Sequence, residues 1–98
     1  MNVYLVNKHD WVLAENVEQA KETVIREFEL DASDIETVGK VSSDTEMLYP
    51  VSKLPSDEQR QCQRMNYFAG ELCAYKPFSW VVEHEKLTKP CILASFEA

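Results

Sequence analysis

The stretch NVEQAKETVIREF, residues 16–28, carries the clearest structural pattern in the chain, and the fold can be built outward from it. Its apolar residues recur at helical spacing, at Val17, Ala20, Val24 and Phe28. This spacing predicts a helix with one apolar stripe. Asn16 is a favourable N-cap, and Gln19, three residues later, completes a capping box. Such a helix buries its stripe by packing against another element, most simply one face of a sheet.

Short runs of β-branched and aromatic residues on both sides of this helix predict strands. They lie at residues 3–6, 11–14, 35–42, 47–49 and 90–96. The polar residues 7–10 between the first two runs predict a hairpin turn. Residues 78–84 also have the composition of a strand, with a short helix capped by Ser79 as the alternative. Pro50 ends the strand before it or restricts that strand to a sheet edge.

A second helix is predicted to begin at Ser56, a favourable N-cap, with Gln59 completing another capping box. Its apolar residues keep helical spacing at Cys62, Met65, Ala69 and Leu72. The pair Lys76-Pro77 ends it. Two helices and about five strands predict an α+β fold, a mainly antiparallel sheet of about five strands with the two helices packed on one face. The 98 residues are predicted to form a single α+β domain, residues 1–98.

The composition predicts a soluble protein of the cytoplasm. A hydrophobic content of 45% suits one modest core, and no apolar run approaches the ~20 residues of a membrane span. The first residues lack the basic lead-in and the long apolar run of a signal peptide. The three cysteines cannot pair completely within one chain and match no zinc spacing. Cys62 and Cys91 fall among apolar residues and are expected to be inert core thiols.

The sequence contains no catalytic motif, so we expect a protein that is not an enzyme and that has no cofactor or metal. Gly39 and Gly70 are too far apart to form a phosphate-binding loop. No nucleophile elbow, metalloprotease motif or close pair of cysteines occurs. His9 and His84 have acidic neighbours but no diagnostic spacing, and they are expected to be exposed and non-catalytic.

Negative charge is concentrated in one third of the chain. Ten of the seventeen acidic residues fall between Glu15 and Glu46, where only Lys21, Arg26 and Lys40 oppose them. This excess of seven equals the whole net charge of −7, so the rest of the chain is balanced. The localisation predicts one acidic face, which attracts basic surfaces and repels the phosphates of nucleic acids.

Three interpretations of these acidic residues stay open. One is a solvated helix surface that keeps the protein soluble. Another is a docking face for a basic partner, with Trp11 as an anchor, for which core packing is the alternative. The carboxylates assigned to this face are Glu18, Glu22, Glu29, Asp31, Asp34 and Glu36. The third is a calcium site at Asp31, Asp34 and Glu36, although the D-x-D-x-D-G loop is missing.

Two stretches resemble parts of small, uncharacterised phage-encoded proteins. Residues 10–20, DWVLAENVEQA, resemble the opening of such proteins, in which a strand leads through A-E-S-x-E-E-A into a helix. Residues 90–97, PCILASFE, resemble their P-C-x-x-A-S-x-E ending. The size, the acidic charge and the missing catalytic motif are also similar to phage inhibitors of bacterial defence, including anti-CRISPR proteins. The resemblance implies an inhibitory interaction protein and transfers no binding residue.

The leading hypothesis from the sequence is a small acidic phage-type protein that binds and inhibits a bacterial host or defence protein. The partner would present a basic surface to the acidic face, and the chain itself would bind neither nucleic acid nor membranes. The alternative is a module that sequesters a small molecule or nucleotide. That function requires a pocket, for which Trp11, Tyr67 and Trp80 are the candidate lining residues.

Overall fold

A computed structural model describes residues 1–61 and 64–95 of the chain. The strands, in chain order, are β1 (Asn2–Val6), β2 (Asp10–Ala14), β3 (Val38–Val41), β4 (Glu46–Pro50), β5 (Met65–Phe68), β6 (Glu71–Pro77) and β7 (Cys91–Ser95). The helices are α1 (Val17–Phe28), α2 (Ser56–Gln61) and α3 (Phe78–His84). The chain forms two compact units, Met1–Ser43 with the segment from Lys86 onward, and Asp44–Glu85. Each unit contains helix and antiparallel sheet, which confirms the α+β class.

The first unit is a four-stranded antiparallel sheet, in the order β3-β1-β2-β7, with α1 packed on one face. Successive side chains of a strand point to opposite faces. Residues at alternate positions of β1 and β2 therefore meet the helix in one hydrophobic cluster. Its buried members are Tyr4, Val6, Val12, Ala14, Ala20 and Val24. The sheet thus buries the apolar stripe that the sequence predicts for α1, except at its two ends, where Val17 and Phe28 are exposed.

Local signals at both ends of α1 explain its boundaries. Asn16 Oδ1 accepts a hydrogen bond from the Gln19 backbone N–H at 2.8 Å, which confirms the predicted N-cap. The Gln19 side chain accepts in turn from the Glu15 N–H, one residue before the cap, at 2.7 Å. At the other end Glu29 adopts the left-handed conformation, and the Leu30 N–H bonds to the Ile25 carbonyl at 3.0 Å. This is the Schellman pattern, which stops the helix.

The hairpin between β1 and β2 turns through two residues with positive φ. Asn7 and Lys8 have φ angles of 53° and 65°, and the His9 N–H bonds to the Val6 carbonyl at 3.2 Å. These are the features of a type I′ turn, whose twist matches that of the flanking strands. Asparagine tolerates this conformation well, whereas lysine occupies a position at which glycine is usually favoured. The predicted hairpin is confirmed, with this strained turn at its tip.

The second unit is a three-stranded antiparallel sheet in the order β4-β6-β5, accompanied by α2 and α3. The predicted second helix is wrong beyond Gln61. Residues 65–68 and 71–77 instead pair as a hairpin through the two-residue turn Ala69-Gly70. Both turn residues have positive φ, 52° and 80°, which a continuous helix excludes. Cys62, which the sequence placed on the apolar side of that helix, lies outside the described residues.

The alternation expected of a half-buried strand is absent from β5, because all four of its residues are exposed. The sequence of β5 therefore shows no period-two alternation that would predict a strand. The apolar residues of this region follow helical spacing instead, which is why the sequence predicts a helix there. Residues 78–84 are helical rather than a strand, with Phe78 and Val81 buried at i and i+3. Pro77 is the N-cap of this helix, so the Ser79 cap considered as the alternative lies two residues too late.

The remaining strand predictions are close to the structure. Residues 35–42 contain β3, residues 47–49 lie within β4, and residues 90–96 contain β7, with Phe96 outside the described residues. Pro50 is the last residue of β4, an edge strand, as predicted. The described part of the chain thus holds seven strands in two sheets and three helices, not about five strands in one sheet with two helices. None of those helices is long and apolar enough to cross a membrane. The single domain over residues 1–98 stays a prediction.

Candidate functional site

The acidic residues of α1 lie on its solvent side. A spacing of four residues places Glu18 and Glu22 in one stripe along the helix. Glu29 follows at the left-handed cap just after α1, and all three glutamates are exposed. The buried positions of the same helix are Ala20, Thr23 and Val24. Since these positions lie on the opposite side of the helix, the sheet anchors α1 while the three glutamates point to solvent. Glu18 has a weak surface contact with Lys21, Nζ to Oε1 at 3.7 Å.

The segment between α1 and β3 contains Asp31, Asp34 and Glu36, and we call it the acidic connector. Hydrogen bonds of the Asn7 side chain hold it in place. The Asn7 amide donates to the Asp34 carbonyl at 2.9 Å, and its Oδ1 accepts from the Glu36 N–H at 2.7 Å. The Asp34 carboxylate accepts from the Asp31 N–H at 2.9 Å, around the 3₁₀ turn Ala32–Asp34. All three acidic residues of the connector are exposed. We call the acidic surface the set Glu18, Glu22, Glu29, Asp31, Asp34 and Glu36.

The connector does not have the geometry of a calcium site. One Asp34 oxygen already serves the backbone, and across residues 1–61 and 64–95 no three His, Cys, Asp or Glu side chains are grouped to hold a metal ion. Calcium requires six to eight oxygen ligands around one point. The carboxylates of the acidic connector are therefore exposed charges that are not grouped as calcium ligands.

Trp11 lies apart from the acidic surface. In β2 it alternates with Asp10 and Val12, and Val12 belongs to the cluster that faces α1. The Trp11 side chain therefore projects from the other face of the sheet, where it is half-buried. The predicted binding residues thus separate into a solvent-facing acidic group and one tryptophan on the opposite side.

Two of the predicted pocket residues belong to the second unit. The Trp80 ring stacks on His84 at 4.5 Å and meets Tyr49 edge-on at 5.5 Å. Lys76 Nζ lies 4.5 Å from the centre of the Trp80 ring, and these contacts match the packing interpretation of Trp80. Tyr67, by contrast, is 72% exposed on the edge strand β5.

The side chains with shifted pKa values do not point to a reactive centre. Burial, with a smaller contribution from the charge of Glu71, raises the pKa of the Cys73 thiol. A buried thiol with a raised pKa is a poor nucleophile. Burial also raises the pKa of the Tyr49 phenol, and the charge and hydrogen bond of Glu85 raise it further. Both shifts favour the neutral form of the side chain and are explained by burial beside a glutamate.

The structure shows a further site around Asp10, which the sequence placed in a turn. Asp10 is the first residue of β2, on the face that α1 covers, and it is only 4% exposed. The Ser95 hydroxyl donates to Asp10 Oδ1 at 2.5 Å, and His9 Nδ1 lies 3.1 Å from Oδ2. A buried carboxylate is costly unless it is hydrogen-bonded or paired with a charge. These two contacts partly supply that need.

A cavity of about 320 Å³ opens beside this carboxylate. Among the described residues, its lining includes the polar residues His9, Asp10 and Ser95 and the apolar residues Phe28 and Leu30 at the end of α1. None of Trp11, Tyr67 and Trp80 is among these residues. The cavity therefore combines one buried anionic group with an aromatic and an aliphatic wall.

The order of these contacts differs from that of a catalytic triad. In a Ser-His-Asp triad the imidazole lies between the nucleophile and the carboxylate, whereas here the carboxylate lies between Ser95 and His9. The Ser95 hydroxyl donates its hydrogen bond to the Asp10 carboxylate, so the imidazole of His9 is not the group that accepts from it. The arrangement suits recognition of a donor or cation by Asp10. His9 is exposed, as the sequence predicts, and His84 is also exposed.

No family model, curated protein or solved structure matches the chain. The resemblance to phage-encoded proteins therefore stays an expectation drawn from two short stretches. Two features of the molecule bear on its function, the acidic surface and the cavity beside Asp10.

Proposed function

We propose that this chain is a non-enzymatic interaction protein that binds a basic protein surface through the acidic surface of α1 and its connector. The observation that carries the proposal is the position of Glu18 and Glu22 on the side of α1 opposite its buried residues, with Glu29 exposed at the end of the helix. Following the resemblance to phage-encoded proteins, the partner is a bacterial host or defence protein. Binding inhibits it by covering a basic surface, such as one used for nucleic acid.

The charges of the acidic surface are available to a partner. Within the described residues, Glu22, Glu29, Asp31, Asp34 and Glu36 form no ion pair, and the Glu18 contact is long and exposed. Because surface ion pairs of this kind contribute only ~0–1 kcal/mol, a partner can displace the Glu18 contact at little cost. Concentrated charge of one sign mainly accelerates association with an oppositely charged surface.

The test is a double charge reversal on the stripe. Glu18→Lys with Glu22→Lys changes the charge by four, and circular dichroism verifies that α1 remains folded. Once a partner has been captured from a bacterial lysate and purified, its association rate is measured at 50 and 300 mM salt. We expect the double variant to associate about tenfold more slowly at low salt, because electrostatic steering is lost.

A matched control separates the acidic surface from net charge. Asp57→Lys with Glu83→Lys makes the same change in charge at exposed residues of the second unit. This control should retain most of the association rate and its salt dependence. Equal losses in the two double variants would show that net charge, and not the acidic surface, attracts the partner. Unchanged association of the α1 variant would refute the proposal.

The cavity beside Asp10 supports a second candidate function, the sequestering of a small molecule. Its volume of about 320 Å³ falls at the lower end of ligand pockets, and its lining joins polar and apolar groups as such pockets do. A thermal-shift screen of small cationic and neutral metabolites tests this function, since a ligand that binds only the folded state raises the melting temperature. A hit that Phe28→Leu abolishes would support it, and the absence of any hit would favour a protein partner.

A further inference from the structure

The cavity beside Asp10 offers a cation three separate sources of stabilisation. The first is the Asp10 carboxylate, which is 4% exposed and forms part of the wall. Each carboxylate oxygen has two acceptor positions, and the contacts with Ser95 and His9 use one on each oxygen. Each oxygen therefore keeps one acceptor position that these two contacts do not use.

The second source is the end of α1. Phe28 and Leu30, which line the cavity, flank the left-handed residue Glu29 at the C-terminus of this helix. The carbonyl groups at a helix C-terminus carry partial negative charge and favour cations. The cavity thus combines a helix C-terminus and a carboxylate, both of which attract positive charge.

The third source is the aromatic wall. Phe28 is 43% exposed, so its ring is accessible, and the face of an aromatic ring attracts a guanidinium or ammonium group within ~6 Å. Leu30 adds an aliphatic surface that packs against the core of the first unit. Such a wall suits a side chain with an apolar stem and a cationic head.

We propose that the cavity receives an arginine side chain of the partner protein, with its guanidinium group on the Asp10 carboxylate and its stem against Phe28 and Leu30. This inference rests on the proposed binding of a basic protein surface and names the residue type that anchors it. Arginine fits better than lysine because its planar group donates several hydrogen bonds in a fork and stacks on aromatic rings. A cavity of about 320 Å³ suits one such side chain.

The charge balance of the site also favours this occupant. The His9 contact with Asp10 is an ion pair only when the imidazole is protonated, and the His9 side chain is 47% exposed. A guanidinium group carries its charge at every physiological pH. Its entry therefore places a full positive charge beside the buried Asp10 side chain, an arrangement that favours a desolvated complex.

The test is an NMR titration of the ¹⁵N-labelled protein with three capped tripeptides, Gly-Arg-Gly, Gly-Lys-Gly and Gly-citrulline-Gly. Citrulline has the shape of arginine without its charge. We expect the arginine peptide to shift the backbone amides of residues 9–10, 28–30 and 95. The citrulline peptide should bind about tenfold more weakly, because charge-assisted hydrogen bonds are about twice as strong as neutral ones. The affinity of the lysine peptide should lie between those of the arginine and citrulline peptides.

Variants assign the shifts to this cavity. Phe28→Leu should weaken the arginine peptide about threefold or more, through loss of the ring face. Phe68→Leu is the matched control, since Phe68 is 41% exposed but belongs to the second unit, and it should leave the affinity unchanged. Asp10→Asn should abolish the preference for arginine over citrulline. If this variant unfolds, the comparison of Phe28→Leu with Phe68→Leu still shows whether the arginine peptide binds in this cavity.

The outcomes separate this inference from the proposed function. Equal binding of the arginine and citrulline peptides, or shifts outside the cavity, would overturn the arginine assignment even if the Glu18 and Glu22 reversals slow the partner. Tighter binding of a free guanidinium compound, such as agmatine, than of the arginine peptide would assign the cavity to a small molecule instead. Arginine-specific shifts at residues 9–10 and 28–30 would support the inference even if those reversals had no effect.

Discussion

Replacement of Gly70 by alanine distinguishes the hairpin of the second unit from the helix that the sequence predicts there. In a helix interior Gly→Ala stabilises the protein by ~0.5–1 kcal/mol, because alanine loses less backbone entropy on folding. In the structure Gly70 has a φ angle of 80°, at the second position of the Ala69-Gly70 turn. An L-residue with positive φ is destabilised by ~1–2 kcal/mol. The two structures therefore predict effects of opposite sign.

The net magnitude follows from the surroundings of Gly70. A Cβ at this position would meet no atom within 4 Å, so only the backbone conformation carries the cost. The reduced entropy of the unfolded chain offsets ~0.4–1 kcal/mol of it. We expect Gly70→Ala to lower the free energy of unfolding by about 1 kcal/mol, which corresponds to a fall of roughly 4–8 °C in the melting temperature of a domain of this size.

The assay is urea and thermal unfolding followed by circular dichroism, with Gly39→Ala as the matched control. Gly39 lies in β3, also has no atom within 4 Å of a built Cβ, and has no positive φ. Its replacement should be neutral or stabilising by up to about 1 kcal/mol. If Gly70→Ala stabilised the protein as much as Gly39→Ala does, the result would contradict the turn at residues 69–70. It would support the helix that the sequence predicts there.

Three further predictions follow from individual side chains. Lys8→Gly should stabilise the first unit by ~0.5–1 kcal/mol in urea unfolding, because the positive φ of Lys8 suits glycine; a destabilised variant would contradict the type I′ turn. The raised pKa of Tyr49 means that the folded state holds the phenol proton more tightly than the unfolded state does. The phenol's contribution to the free energy of unfolding is therefore complete below about pH 10 and is lost at higher pH. Tyr49→Phe should therefore weaken the fall in stability above pH 10, and an unchanged pH profile would refute this. Iodoacetamide, mapped by mass spectrometry, should modify buried Cys73, whose pKa is raised, more slowly than half-buried Cys91; equal rates would show that Cys73 is accessible.

The first unit was predictable from local signals. The Asn16 cap, the apolar spacing along α1 and the polar turn after β1 each act over a few residues. Their physical effects are therefore contained in the sequence itself. The exposure of the acidic residues was predictable for the same reason, since charged side chains on the polar side of an amphipathic helix stay in water.

The second unit was less predictable because its signals compete. Residues 62–72 follow helical spacing, yet residues 65–77 form a hairpin. All residues of β5 are exposed, so no alternation marks the strand. Gly70 is the one local signal that favoured a turn, and in the pair Ala-Gly it is weaker than in Asn-Gly. Strand pairing, which is non-local, overrode the helical pattern.

The sequence by itself determined the α+β class, the N-terminal hairpin, the capped helix α1 and the solvent exposure of its glutamates. Only the tertiary structure decided the site at Asp10, because Ser95 lies 85 positions away in the chain and reaches it through the pairing of β2 with β7. An aspartate at the start of a strand, two residues before buried Val12 on the same face, was the available signal. Its partners and its cavity exist only once distant segments are packed together, which no local pattern encodes.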